Sequence, residues 1–446
     1  MSSGTAKNPT GGVVSRHVME RDSLNLVTGE HVVQRDNMQK AWKQVRANKG
    51  APGIDNISVE EFPEDAYKHW EGIKAARLEG TYTPSPVKRV EIPKDSGGTR
   101  ALGIPTVMDR VIQQAISQVL TPVFDPHFSK DSFGFRPNRS AHQAIRKAEK
   151  DIREGYRYVV DIDLEKFFDT VDHDVLMNRV ARRIRDKGLL RLLGKYLRAG
   201  VVVKGRLNQT VRGVPQGGPL SPLLSTILLD DLDRELEKRK HRFARYADDC
   251  IILVKSKRAG QRVMARITRY LEKILKVKVN TDKSKVVKGQ DCSFLGFTFK
   301  GKKLTVTLKA ITLFKKRLRR LTGRSWGISM QDRYGHIRLY IRGWMNYFGI
   351  GMRYTDAVEL DHWLRRRIRM CHLKQWGRAR KRIGELIKLG SPKYQAILTG
   401  LSRKGYWHLA KTFATNCGLS KEYLQDQGLV SLRTLWIGIQ YPATAR

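Results

Sequence analysis

A chain of 446 residues is long enough for two to four domains and a substantial core. It carries 85 Lys plus Arg against 43 Asp plus Glu, a formal net charge of +42, where small soluble domains carry about 2 to 8, and nucleic acid is the commonest partner for such an excess. Four scattered cysteines, Cys250, Cys292, Cys371 and Cys417, form no C-x-x-C pair and suggest neither a disulfide framework nor a zinc module, and no apolar run is long enough to span a bilayer.

Residues 1–35, opening "MSSGTAKNPTGG", read as a flexible tail without the apolar h-region of a signal peptide, so the expected setting is cytoplasmic. Order is expected from about Asn37, in the amphipathic segment "NMQKAWKQVRANKG". From there to about residue 300, β-favouring runs such as "VKRVEIPK", "RYVVDIDLEKFF", "FARYADDCIILV" and "CSFLGFTF" alternate with helices such as "MDRVIQQAISQVL" and "PLSPLLSTILLDDLDRELEKRK". This pattern predicts an α+β domain with a mainly antiparallel sheet.

Within it, "IPKDSGGTR" puts Lys94 and Arg100 on a Gly-rich turn. Lys as a point charge and Arg as a bidentate fork suit triphosphate oxygens, although such a pair alone is more often solvated surface. Further on, "YRYVVDIDLEKFFDTVDH" is an apolar strand ending in Asp161 and Asp163, and "YADD" sets Asp248 and Asp249 side by side between two apolar runs. One Asp pair at a hairpin is ordinary turn chemistry. Two acidic strand ends are different: laid side by side they would bring Asp163 against Asp248 and Asp249, and clustered carboxylates ionise together only if cations neutralise them. Oxygen-loving Mg2+ is the natural occupant, and two ions about 4 Å apart can support phosphoryl transfer.

Beyond Leu304 the composition changes. "KAITLFKKRLRRLTGR" holds seven cations and no acid, and "WLRRRIRMCHLKQWGRARKR" holds nine and no acid. Both read as amphipathic helices with one core face and one cationic face, with Trp326, Trp344, Trp363 and Trp376 interleaved. Nucleic-acid backbone contact is expected from Lys315, Lys316, Arg319 and Arg320 on the first and from Arg365, Arg366 and Arg369 on the second.

Six blocks occur in order: "EIPKDSGGTRALGIPTVMDRVIQQA", "FGFRPNRSAHQAI", "DIDLEKFFD", "VPQGGPLSPLLS", "YADD" and "FLGF". Together they resemble the successive blocks of a group II intron reverse transcriptase over residues 36–300, and the region with "IRGWMNYFGIG" resembles the maturase, or thumb, domain of that family. The resemblance is to the compact, group IIC-like type without a C-terminal endonuclease. It implies a right-hand polymerase: N-terminal extension and fingers over 36–150, palm over 151–303, an α-helical thumb/maturase domain over 304–385 and a DNA-binding-like segment over 386–446.

Carried over by residue, the resemblance implies that Asp163, Asp248 and Asp249 hold two Mg2+, with the Leu164 carbonyl a further ligand. Phe168 falls at the aromatic gate that crowds a ribose 2′-OH, although either Phe167 or Phe168 must be core. Gln216 would pack near the incoming nucleotide, Lys94, Arg100 and Lys283 would serve the nucleotide, Arg136 the template, and Leu295 and Gly296 the primer, in "FLGF", which resembles the hairpin that grips the primer strand; as bare sequence, "FLGF" is simply a strand. The implied activity is RNA-directed DNA synthesis from dNTPs on an RNA template with a DNA primer. As a maturase the protein would also bind its group II intron RNA to promote splicing and, at target DNA, copy the inserted intron. The setting would be a bacterial, nucleoid-associated ribonucleoprotein with no membrane partner. The rival expectations are a defence or CRISPR-associated reverse transcriptase and a maturase with vestigial polymerase activity.

Overall fold

The computed structural model describes residues 28–93 and 98–442. The chain divides into two compact units, one up to Lys288 and one from Gly289.

The first unit opens with α1 (Gly29–Val33) and α2 (Arg35–Ala47), packed on each other and on α4 (Val107–Phe124). Of the segment expected to be a tail, residues 1–27 lie outside the described residues, and residues 28–35 are ordered. The reason is tertiary: Val32 is completely buried, and the Gly29 amide donates to Asp186 Oδ2 at 2.7 Å. After α3 (Phe62–Glu79), strands β1 (Val87–Pro93) and β2 (Thr99–Ile104) form an antiparallel hairpin, and β4 (Val201–Val203) and β5 (Arg206–Asn208) extend it in the order β2-β1-β4-β5. This sheet carries Arg89 on β1 and Arg100 on β2.

The second sheet has the order β6-β7-β3-β8, antiparallel throughout, from β3 (Tyr158–Ile162), β6 (Arg242–Tyr246), β7 (Asp249–Val254) and β8 (Lys285–Lys288). Its β7 interior, Cys250 to Val254, is buried without alternation, as a strand covered on both faces must be. Covering it are α5 (Ala141–Arg153), started by a Ser140–Gln143 capping box, and α10 (Lys257–Lys273), capped by Ser256. Between the sheets run one-turn α6 (Phe167–Thr170), then α7 (His173–Ala181), α8 (Lys187–Arg198) and α9 (Ser221–Lys238). Helix α9 is buried nearly all round from Ser221 to Asp233, polar residues included, and packs on α4, α7 and β6.

The second unit starts with the hairpin β9 (Phe297–Lys300) and β10 (Lys303–Val306), and the rest is helical: α11 (Leu308–Leu321), α12 (Met330–Phe348), α13 (Tyr354–Gln375), α14 (Ala379–Lys388), α15 (Lys393–Leu401) and four shorter helices to Gln440. The compact boundary falls before this hairpin and not after it at residue 303, because Phe297 packs against Phe348 with ring centroids 5.3 Å apart. Nor do residues after 385 stand apart: Asp361 of α13 accepts from Ser431 Oγ and the Leu432 amide, both at 2.7 Å, and so caps the last helix.

Two local expectations fail. "WLRRRIRMCHLKQWGRARKR" is not one helix: α13 ends at Gln375, and Gly377 at φ +32° turns the chain before α14. "FLGF" is not a strand: Leu295 and Gly296, at φ +52° and +84°, make a two-residue turn closed by the Phe294–Phe297 bridge, and β9 begins only at Phe297.

Candidate active site

The β3–β7 pairing runs from Tyr158↔Val254 to Ile162↔Cys250, so Asp163 follows directly on the last paired residue of β3 and Asp249 directly precedes that of β7. Asp161, two residues before Asp163, shares its strand face and pairs across β8 with Lys285. The Asp163 backbone is pinned by the 280–284 loop, its amide donating to Ser284 Oγ at 3.0 Å and its carbonyl accepting from the Asn280 amide at 2.8 Å. Asp248 sits in the two-residue turn between Tyr246 and Asp249, which are paired across the hairpin. Sheet register, not sequence proximity, therefore gathers these acids.

Burial pushes the Asp249 carboxyl up to about 6, and Asp248, Asp161 and Asp163 push the same way while Arg100 opposes them. The residue is open to solvent on one side, yet its carboxyl stands in a concave, acid-rich wall. Asp161 is raised as well, first by burial, against the pull of Lys285. Among the described residues no three acidic, His or Cys side chains converge tightly enough to hold a metal ion, and Asp163 Oδ2 instead stands 3.7 Å from Lys283 Nζ. The donor chemistry nonetheless fits a hard divalent cation. Every candidate ligand is a carboxylate or carbonyl oxygen, and the acids carry a like-charge burden that only a cation relieves.

Asp163 and Asp248 line a cavity of about 510 Å³ together with Arg89, Arg100, Leu164, Phe168, Gln216, Asn280 and Lys283 and the further acids Glu91, Glu165 and Asp169. Gln216 comes in on a loop stitched to β2: its carbonyl accepts from the Gly103 amide at 2.6 Å, and a Cβ at Gly217 (φ +121°) would lie 2.4 Å from the Gly103 carbonyl oxygen. Only glycine allows that approach. Of the two phenylalanines, Phe167 is 2% exposed and belongs to the core, whereas Phe168 is partly exposed and lines both this cavity and the adjoining one beside β4. Lys94 lies outside the described residues.

Other expected contacts prove to be internal. The Arg136 side chain is only 5% exposed and donates to Asp125 Oδ1 at 2.7 Å and to the carbonyls of Asp125, Ser129 and Ser132, so four of its five N–H groups are spent inside the fold. The Leu295 carbonyl accepts from Tyr347 Oη at 3.0 Å. Arg366 donates twice to the Trp407 carbonyl and stacks 3.8 Å over its ring, and Arg369 donates to the Leu419 carbonyl at 2.9 Å and to Asn416. Burial, aided by Arg365, lowers Arg369 to about 10. On α11, by contrast, Lys316, Arg319 and Arg320 are exposed and Lys315 is half-buried. Trp344 and Trp376 are core residues. Sequence reasoning missed Arg89 and Asn280 as cavity residues; no spacing signal marks either.

An antiparallel palm sheet with acids at adjoining strand ends, faced by a cavity with cations on its far wall, defines a nucleic-acid polymerase of the right-hand class. Residues 92–299 match the family "Reverse transcriptase (RNA-dependent DNA polymerase)" and residues 311–389 match "Group II intron, maturase-specific domain". Protein YkfC of Escherichia coli K12 is 33% identical over 313 residues, covering 61% of this chain and 81% of that protein. The group II intron-encoded protein LtrA of Lactococcus lactis is 35% identical over 224 residues, 50% of this chain and 37% of LtrA, so the match spans well under half of that relative. A solved chain from a partial Cas6-RT-Cas1–Cas2 complex is 25% identical over 54% of this chain and 42% of that one, at a TM-score of 0.36. The protein belongs to the group II intron family of reverse transcriptases, in which an RNA-directed DNA polymerase is followed by a maturase domain. That family uses a divalent metal for catalysis and acts on nucleic acid, and among the described residues no helix is long and apolar enough to cross a membrane.

Proposed function

We propose that the protein extends a DNA primer on an RNA template at the Asp163–Asp248–Asp249 site and, as a maturase, binds its group II intron RNA to promote splicing and then copies the intron after its insertion into target DNA. The observation that supports this reading is that Asp163, at the end of β3, and Asp248, in the YADD turn before β7, line one cavity with Arg89, Arg100 and Lys283.

Asp163, Asp248 and Asp249, with the Leu164 carbonyl, would hold two Mg2+; when bound, these supply a lowered pKa for the primer 3′-hydroxyl and neutralise charge on the departing pyrophosphate. Lys283, whose Nζ stands 3.7 Å from Asp163 Oδ2, would bind nucleotide phosphate beside the acids that would hold the ions. Arg100, Lys283 and Lys94 bind the triphosphate. Gln216 packs against the nucleotide, and Phe168 crowds the ribose 2′ position. Most of the rate gain then comes from positioning and fixed charge. The exposed cations of α11 take RNA phosphates, and the complex works in the cytoplasm as a nucleoid-associated ribonucleoprotein.

The test is paired: primer extension on an RNA template and splicing of the cognate intron at low Mg2+, with wild type and Asp248→Asn/Asp249→Asn. DNA synthesis should fall by at least about 1000-fold in the variant while splicing persists. Extension without any response of an intron RNA would remove the maturase half and favour a defence-associated enzyme. No extension by wild type would favour a vestigial polymerase.

A further inference from the structure

We propose that Arg245 and Asp233 form a buried clamp that sets the geometry of the YADD turn, acting on the metal-binding acids through the carbonyl of Ala247. The proposal rests on the reading of Asp248 and Asp249 as metal ligands given above.

Arg245 on β6 and Asp233 on α9 are both completely buried. Arg245 Nε donates to Asp233 Oδ1 at 2.7 Å, and a second guanidinium nitrogen donates to Asp233 Oδ2, a bidentate fork between strand and helix. The third nitrogen reaches past the strand end and donates to the Ala247 carbonyl at 2.8 Å. Ala247 is the residue that has to bend for Asp248 and Asp249 to turn inward, and it stands in the left-handed region at φ +59°. A residue with a Cβ stays there only where its surroundings over-determine it.

The opposite side of the turn is closed by backbone. The Arg245 amide donates to the Asp131 carbonyl at 3.0 Å and its carbonyl accepts from the Phe133 amide at 2.9 Å, so the 131–133 segment runs along β6. Gly134 then lies so near the turn that a Cβ on it would fall 2.1 Å from the Ala247 amide nitrogen. Ala247 is thus held between a guanidinium and a glycine backbone. Stability alone does not explain the ion pair, since apolar residues of similar volume in place of a buried pair are often neutral or stabilising. A lysine could keep the charge but not span two carboxylate oxygens and a carbonyl with one planar group.

The experiment compares the full-length wild type with Arg245→Lys, Arg245→Lys/Ala247→Gly and Asp248→Asn/Asp249→Asn. Mn2+ affinity is measured by electron paramagnetic resonance, alongside kcat and KM for dNTP on an RNA template and the melting temperature. Arg245→Lys should weaken Mn2+ binding about tenfold and lower kcat about 100-fold, the cost of a small misplacement of reacting groups, with KM little changed. Ala247→Gly in the same chain should restore about tenfold of kcat, because glycine adopts the left-handed turn unaided. Rescue of this kind is not expected from a pair that merely stabilises the core. If Arg245→Lys leaves Mn2+ binding and kcat unchanged, or its losses follow the melting temperature and resist Ala247→Gly, the clamp is overturned. If Mn2+ binding survives Asp248→Asn/Asp249→Asn, the reading of the metal site fails instead. Should Arg245→Lys not fold, Gly134→Ala keeps the ion pair but pushes the turn from the other side; it should produce the same two losses, and unaltered values would overturn the proposal.

Discussion

Arg89 and Arg100 of the polymerase unit and a set of arginines in the helical unit do opposite work. In the polymerase unit Arg89 and Arg100 line a cavity opposite carboxylates, and their charge is directed outward at a substrate space. In the helical unit several guanidinium groups turn inward onto carbonyl oxygens. Arg333, 2% exposed, donates to the carbonyls of Leu321, Gly323 and Trp326; Arg367 serves Thr322 and Arg319; Arg382 reaches Gly377 and Gly400. Helix ends leave carbonyls without partners, and a long planar fork with five donors satisfies several at once. Net charge therefore names the partner class without telling which cations meet it.

The contrast between facing a cavity and facing the core is sharpest at the adjacent pair Phe167 and Phe168. Phe167→Ala should cost about 3–5 kcal/mol of stability in denaturant unfolding. Phe168→Ala should leave stability nearly intact and raise ribonucleotide incorporation roughly 10- to 200-fold in primer extension. Equal loss of stability in both would end that distinction.

In the helical unit, Arg333→Met should lower stability by about 3 kcal/mol, since three carbonyls lose a charged donor. Thermal melting would show it, and a shift corresponding to less than about 1 kcal/mol would mean that these arginines are not structural ties.

The polymerase site should also respond to acid. The folded-state value of Asp249, about 6, lies above its ordinary carboxylate value, so its ionisation costs stability above pH 6 and that cost is relieved as pH falls through this value. A proton and a cation compete for the same oxygens, so Mn2+ affinity should be flat above pH 7 and fall about tenfold per unit below 6. Titrations of wild type and Asp249→Asn should differ in slope over that range.

The smallest effect separates outward from inward cations within one unit. Lys316→Ala should flatten the slope of log affinity for intron RNA against log salt by about 0.7 to 0.9, as expected for one lost phosphate contact. Arg366→Ala should leave that slope unchanged and lower the melting temperature instead, because its guanidinium is already committed to Trp407.

By itself the sequence was enough for the partner class, the α+β alternation, the two acidic strand ends and the family, because charge excess, hydrophobic period and ordered motifs are properties of the chain read in one dimension. Asp163 could be set beside Asp248 and Asp249 on pattern alone, since two apolar runs ending in acids have few other ways to pair. What only the tertiary structure decided is where each long or ambiguous side chain points. Phe167 and Phe168 are equivalent as sequence, Arg136 and Arg100 look alike as cations on turn-rich loops, and Arg366 is indistinguishable from Lys316 on a basic helix. Their fates depend on carbonyls and carboxylates brought up from distant segments, as when Asp233 on α9 claims Arg245 on β6 and fixes the turn between them. A guanidinium bonds to whichever acceptors the fold places within its reach, and that distance is set by packing rather than by the residues on either side of it.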